Sequence, residues 1–375
     1  MVNTPTPSRA ATSIRAWCRP APSVLPGGRP RKRLMPVSCR PGWQSLQVAA
    51  GLLLALPGLG SPAVAAEAPR AMLERMANAV EYLNYEGTLV HLHGGDSSVL
   101  HITHQVQDGQ VTERISCDDA GRQLIRNKDE VTGIFPDQHA VLVEPRDDRG
   151  QPSSPLRGRL PGPASIDDAL YLLSFAPPER IAGRDTRGIV IRPRDGFRYG
   201  YRIWLDRTTF MPLKTQLVDE QDRVLEQLLF TKIMLPERIP ASAVKPTVAT
   251  AAYAVRRAAR AATGPAAEQA GPQWSVTALP PGFRLTVRKA QVAPDALSGL
   301  RHIVYSDGLA TVSLFVEPAV AASEQAEGLS QIGAANAYTT SIDGHMVTAI
   351  GEVPARTVEM IAESARSLDR TPASR

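Results

Sequence analysis

The chain of 375 residues has only three cysteines, Cys18, Cys39 and Cys117, and only 5% aromatic residues. Two of the cysteines lie in a stretch with an absence of its own: residues 1–66 hold eight basic side chains and no Asp or Glu. The apolar run there, Leu46 to Leu59, is shorter than the about 20 residues that a membrane span requires. Small residues follow it at Ala63-Val64-Ala65-Ala66. Basic residues, a short apolar run and a small-residue end make a cleavable export signal over 1–66, with Met35 as a second candidate start. A single N-terminal anchor helix is the competing account. Cleavage removes eight positive charges and turns a formal net charge of +5 into −3, which takes away the basic balance of a nucleic-acid binder. Cys117 is then the lone cysteine of the exported chain, so no internal disulfide is expected and stability must come from packed cores.

Catalytic signatures are missing as well. There is no G-x-S-x-G elbow and no glycine-rich phosphate loop. Cys117 has no flanking His and no C-x-x-C partner and reads as a bystander thiol. Asp118-Asp119 and Asp147-Asp148 read as solvated turn charges. Four histidines, His91, His93, His101 and His104, fall close together. His91 and His93 share one face of a strand, and a hairpin can bring His101 near, which is the start of a metal site. No Asp, Glu or Cys stands at ligand spacing outside turns, and His101 and His104 face opposite ways. No metal, no cofactor and no enzymatic activity are expected.

What the sequence does have is two-residue alternation. In Phe197–Ile233, Tyr199, Tyr201, Ile203 and Leu205 fall on one side of an extended segment, and Gly200, Arg202 and Trp204 on the other. A turn leads to Leu213, Thr215 and Leu217 in alternation with Lys214, Gln216 and Val218, and a third run begins at Val224. This predicts an antiparallel meander with one apolar face. Before it, Leu73, Met76, Val80 and Leu83 predict an amphipathic helix over 68–83. Short strands follow at hairpin distances from Thr88 to Glu144, with Asp108-Gly109 and Asp195-Gly196 as turn signals. Ser165 and Asp168 predict a short helix that ends by Phe175. Residues 240–272, rich in Ala, Pro and Thr, read as a linker, with one helical stretch over 253–262. A second unit from Trp274 pairs 300–306 with 309–317 across Asp307-Gly308. It ends in a helix after Pro354 whose Val358, Ile361 and Ala365 share a face. The expected fold is α+β: an incomplete antiparallel barrel wrapped over helices at 67–239, the linker, and a small sheet-and-helix domain at 273–370.

The W-L-D strand with P-L-K-T-Q-L, then LPPGF (279–283), VYSDGLATVSLFVEP (304–318) and AIGEVPARTVEMIAES (349–364), resemble the RseB/MucB family of periplasmic regulators of an envelope-stress sigma factor. The large domain alone also resembles the LolA/LolB lipoprotein-carrier fold, which lacks the small domain. The resemblance implies a periplasmic protein that binds the periplasmic segment of a transmembrane RseA/MucA-type anti-sigma factor and protects it from proteolysis. Release would follow binding of lipid, lipopolysaccharide or mislocalised lipoprotein; homo-oligomerisation is left open. By family analogy and expected exposure near strand ends, the partner contact falls on Phe283, Tyr305, Asp307, Gly308 and Phe315. A lipid cavity would be lined by Tyr201, Ile203, Leu205, Leu213 and Leu217, residues that could equally pack a core. Arg157, Arg159, Arg180, Arg184 and Arg187 could meet lipid phosphates or serve as scattered solubilising charge. The second reading is a periplasmic carrier of the LolA type.

Overall fold

The computed structural model describes residues 68–118, 121–146, 156–258, 273–290, 300–319 and 327–368. The expected export signal, Asp147-Asp148 and residues 259–272 of the expected linker lie outside them. Helix α1 (Pro69–Tyr82) forms where predicted, with Pro at its first turn and Met72, Leu73, Met76, Ala79 and Val80 on its buried face. Its length gives it a reach of about 21 Å. Each of these large side chains contributes about 1.5–3 kcal/mol when taken fully out of water.

Around the helix runs one large sheet. Its strands are β1 (Tyr85–His93), β2 (Asp96–Gln107), β3 (Gln110–Cys117), β4 (Gln123–Arg126), β5 (Glu130–Phe135), β6 (Ala140–Pro145), β7 (Tyr171–Ala176), β8 (Arg180–Ile181), β9 (Arg184–Pro193), β10 (Gly200–Asp206), β11 (Pro212–Val218), β12 (Val224–Met234) and β13 (Ala254–Arg257). The order is β13-β6-β5-β4-β3-β2-β1-β12-β11-β10-β9-β7, with β8 paired to β9. All neighbours are antiparallel except β13 and β6. The end strands β13 and β7 do not pair with each other, so the barrel stays open as expected. β1 pairs with β12, distant in sequence, which joins the N-terminal hairpins to the meander.

Two local expectations are corrected. Residues 165–175 do not form a helix: Pro163–Ser165 is a single 3-10 turn, and Tyr171–Ala176 is strand β7 on β9. The segment before Pro177-Pro178 is too short to repay helix nucleation, while β9 offers a complete ladder. Asp168, read as a helix-start residue, instead accepts from Arg70 Nη2 of α1 at 2.6 Å. Second, half of the expected linker is packed on the large domain. Val244 is buried, Val248 and Tyr253 lie against Ile134, Val141 and Val143, and Ala254–Arg257 is a strand rather than a helix. Alanine propensity is weak against a sheet edge whose amides and carbonyls need partners. Cys117 is buried on β3 at 3% exposure.

The small domain is a six-stranded antiparallel sheet of β15 (Arg284–Ala290), β16 (Arg301–Ser306), β17 (Thr311–Pro318), β18 (Gly328–Ile332), β19 (Ala335–Ile342) and β20 (His345–Gly351), in the order β15-β16-β17-β20-β19-β18. Helix α2 (Ala355–Glu363) covers it with Val358, Ile361 and Ala362, whereas Ala365, expected on the same helical face, lies on the strand that follows. The pair β14 (Trp274–Val276) and β21 (Ala365–Ser367) ties the two ends of the domain together. Trp274, Phe283 and Tyr305 belong to its core.

Candidate functional site

The concave face of the large sheet changes character along its strands. At the end covered by α1, Leu205 and Ile203 of β10, Leu213 of β11, and Phe230 and Leu89 of β12 and β1 are packed in the core. Two residues further along each strand the same face presents Tyr201 and Tyr199, Thr215 and Leu217, and Leu228 and Glu226. Residues of the small domain face this second half. A cavity of about 610 Å³ remains, walled by Tyr171, Tyr199, Tyr201, Thr215, Leu217, Glu226 and Leu228, by the Arg157–Gly162 loop, and from the small domain by Gly308–Thr311 and Glu352. That volume is within the usual range of small-molecule sites.

The five expected lipid-cavity residues therefore divide. Tyr201 and Leu217 line the cavity. Ile203, Leu205 and Leu213 are core beneath α1, at most 1% exposed. Of the five expected partner-contact residues, Phe283 and Tyr305 are buried in the small-domain core, which corrects the expectation that they are exposed. Phe315 is half-buried with its ring stacked on His302 at 4.5 Å. Asp307 is 3% exposed, and Gly308 borders the cavity. Arg157 and Arg159 stand at the cavity, whereas Arg180 and Arg184 are paired with Asp185 and Asp206 elsewhere.

Two joints hold the small domain over the cavity. At the first, the fully buried side chains of Arg198 and Asp307 meet at 3.0 Å. Arg198 also donates to the Pro281 carbonyl at 2.6 Å and lies 3.2 Å from Asp195. Tyr171 Oη donates to Asp307 Oδ2 at 2.7 Å, and the backbone amides of Leu309 and Ala310 donate to its other oxygen. Burial and then the Asp307 charge push the Tyr171 hydroxyl far above its ordinary value, so it remains a donor. The Gly308 backbone, at φ +106, lies so close to the Ser165 carbonyl that a Cβ there would stand 3.0 Å from it. At the second joint the turn between β18 and β19 seats Gly333 against the His93 ring, and Ala334 packs with Tyr199 and Leu217. Asn336 donates to the Tyr199 hydroxyl at 3.0 Å and to the Val353 carbonyl at 2.7 Å. Thr357 at the start of α2 donates to the Phe197 carbonyl at 2.7 Å.

The cavity wall also gathers charge. His93 stands directly opposite Glu226 in the β1–β12 ladder, and His91 is two residues back on the same face. His91 Nε2 donates to Glu226 Oε1 at 2.8 Å, Arg159 Nη1 reaches the same oxygen at 2.5 Å, and His93 Nδ1 is 3.4 Å from Oε2. Burial raises the Glu226 carboxyl, but the His91 hydrogen bond and the Arg159 and histidine charges outweigh it, and the group titrates below its ordinary value. Glu352 behaves oppositely: burial, then the nearby Glu226 charge, push it up. The acidic partner of the histidines was not visible in sequence because it comes from β12, far along the chain; His101 instead pairs with Asp118 at 2.7 Å.

The two carboxyls respond to pH with opposite signs. Glu226, depressed in the fold, stabilises above its ordinary value of 4.5, and that contribution is lost as pH falls through its lower folded value. Glu352, raised in the fold, binds its proton more tightly when folded, so its contribution is present at low pH and disappears as pH rises above 4.5. Glu352→Gln is therefore expected to raise the melting temperature at neutral pH and to leave it unchanged at about pH 4. Melting curves of the two proteins at both pH values check this, and equal melting at neutral pH would contradict the strained carboxylate.

Both halves of the molecule match known proteins. Residues 68–248 fit the MucB/RseB N-terminal domain and 268–366 the MucB/RseB C-terminal domain. The sigma factor AlgU regulatory protein MucB of Pseudomonas aeruginosa is 32% identical over 331 residues, which cover 84% of this chain and 96% of that protein. The structure of the Pseudomonas aeruginosa MucA/MucB complex matches with a TM-score of 0.61 at 28% identity, over 80% of this chain and 98% of the matched one. A crystal structure of MucB matches over the same extent with a TM-score of 0.52. Two family domains in order, an open barrel and a small domain docked across its uncovered end carry one conclusion: the chain belongs to the MucB/RseB family.

Proposed function

We propose that this protein is a periplasmic binding regulator, not an enzyme: it holds the periplasmic segment of a transmembrane anti-sigma factor, keeps it from regulated proteolysis, and so keeps an envelope-stress sigma factor repressed. The supporting observation is the presence of both family domains together with the match to MucB in complex with MucA. The physical logic is occlusion, since a protease needs an extended, accessible chain and a bound segment leaves the cleavable population in proportion to occupancy. Of the residues expected to meet the partner, Gly308 borders the cavity while Asp307 is buried in the joint, so their turn would act by setting how the small domain docks; Phe283 and Tyr305 would act by supporting that turn from within the core. The same cavity, through Tyr201 and Leu217 and with Arg157 and Arg159 at its edge, is proposed to take lipid, lipopolysaccharide or the acyl chain of a mislocalised lipoprotein. An occupant there alters the domain joint and hence the partner's affinity, by reciprocal coupling.

Calorimetric titration of the purified protein with the periplasmic segment of its anti-sigma factor, without and with lipopolysaccharide, tests the reading. Micromolar or tighter binding is expected, weakened when lipid is present. Failure to bind in either condition, together with delivery of acylated cargo to an acceptor, would favour a LolA-type carrier instead.

A further inference from the structure

We infer that His91, His93 and Glu226 form a binding site for a divalent transition-metal ion in the cavity wall. One ligand atom from each residue lies within 4.8 Å of the others. Donors at about 2.0–2.1 Å from a tetrahedral ion stand about 3.4 Å apart. His93 Nδ1 and Glu226 Oε2 are already separated by 3.4 Å. Strand geometry fixes the set: His91 and His93 project from one face of β1, and Glu226 is the ladder partner of His93. These side chains are held rather than solvated, with His91 at 4% and Glu226 at 9% exposure.

The strongest objection is Arg159, whose charge opposes a cation. It binds Glu226 through Oε1, however, and leaves Oε2 toward His93. An arginine on the far oxygen is the kind of outer partner that orients a ligating carboxylate. Glu352, also on the cavity wall, places a second carboxyl near this cluster. Water would complete the shell at the remaining coordination position. Two imidazoles with one carboxylate suit Zn²⁺, Cu²⁺ or Ni²⁺ rather than Ca²⁺ or Mg²⁺. His91 Nε2, which now donates to Glu226, would bind an ion in the tautomer that carries its proton on Nδ1. Because the opposite nitrogen of His93 lies against Gly333, an ion on Nδ1 would also fix the ring on which the small domain rests.

The test is titration of tag-free, metal-stripped protein with Zn²⁺ near pH 7.5, with elemental analysis after dialysis, for the native protein and for Glu226→Gln, His91→Ala and His101→Ala. Expected are one ion per chain, a higher melting temperature with Zn²⁺, affinity at least about tenfold weaker in Glu226→Gln and His91→Ala, and no change in His101→Ala. Nitrogen NMR of the native histidine side chains, which needs no variant, is expected to show loss of the His91 Nε2 proton on Zn²⁺ addition. Absence of stoichiometric binding, an unperturbed His91 ring, or binding retained in Glu226→Gln would overturn the site and leave the trio as a hydrogen-bonded ion cluster.

Discussion

Arg198→Ala is expected to release the small domain from the large one while both sheets stay folded. The substitution removes the cation from a pair whose side chains are both at 0% exposure and leaves Asp307 ionised with only Tyr171 and two backbone amides as partners. Breaking one side of a buried pair costs about 3–5 kcal/mol, because the remaining charge loses its counterion without regaining water. The least costly escape is for the turn of Asp307 to leave the joint and hydrate. Small-angle scattering should therefore show a larger radius of gyration for the variant, and circular dichroism an unchanged strand content. An unchanged radius, with the lost stability confined to global unfolding, would mean that the second joint holds the domains alone. Replacing Asp307 with Asn in the Arg198→Ala background should recover part of the loss, since no uncompensated charge is then left.

Gly333→Ala attacks that second joint by shape. At φ +65 an L side chain already costs about 1–2 kcal/mol, and the added methyl carbon would sit within the His93 ring, 1.6 Å from Nε2. Overpacking of this kind adds about 1–3 kcal/mol. Either the turn lifts or the His93 ring swings away from Glu226. Histidine NMR tells the two apart, and a cysteine pair across the turn would measure docking directly. If stability and both readouts stay at native values, the seat of Gly333 on His93 is not holding the domains. Double substitution of Arg198 and Gly333 tests whether the joints act independently: losses that add within about 0.5 kcal/mol mean two separate latches, and a smaller sum means that one opens the other.

Much of this was readable along the chain. Alternation in Tyr199–Leu205 and Leu213–Leu217 gave the meander, Asp195-Gly196 the hairpin that leads into it, Asp307-Gly308 a hairpin of the small domain, and the Leu73, Met76 and Val80 stripe the helix, because each signal is local. Readings failed where a local preference met a distant partner. Tyr171–Ala176 became a strand because β9 was waiting for it, and Ala254–Arg257 did so because the β6 edge was open. The same reason divides the candidate cavity. Period two places Tyr201, Ile203 and Leu205 on one face, but it does not say which of them pack in the core and which face the cavity. Glu226 beside His93, Arg198 beside Asp307 and Gly333 beside His93 join residues more than a hundred positions apart, and no spacing in the sequence announces them.

The cavity has no ceiling of its own, because one wall is the neighbouring domain. A guest in such a space acts as mortar or as wedge according to its size. A molecule that fits within about 610 Å³ touches both domains at once, and its binding energy adds to the strength of the joints. A bulkier one can be accommodated only with the roof raised, and its affinity is then spent on separating Asp307 from Arg198 and Gly333 from His93. Molecular volume alone would thus set the sign of the response, so a short-chain and a long-chain amphiphile of identical headgroup should drive this protein in opposite directions.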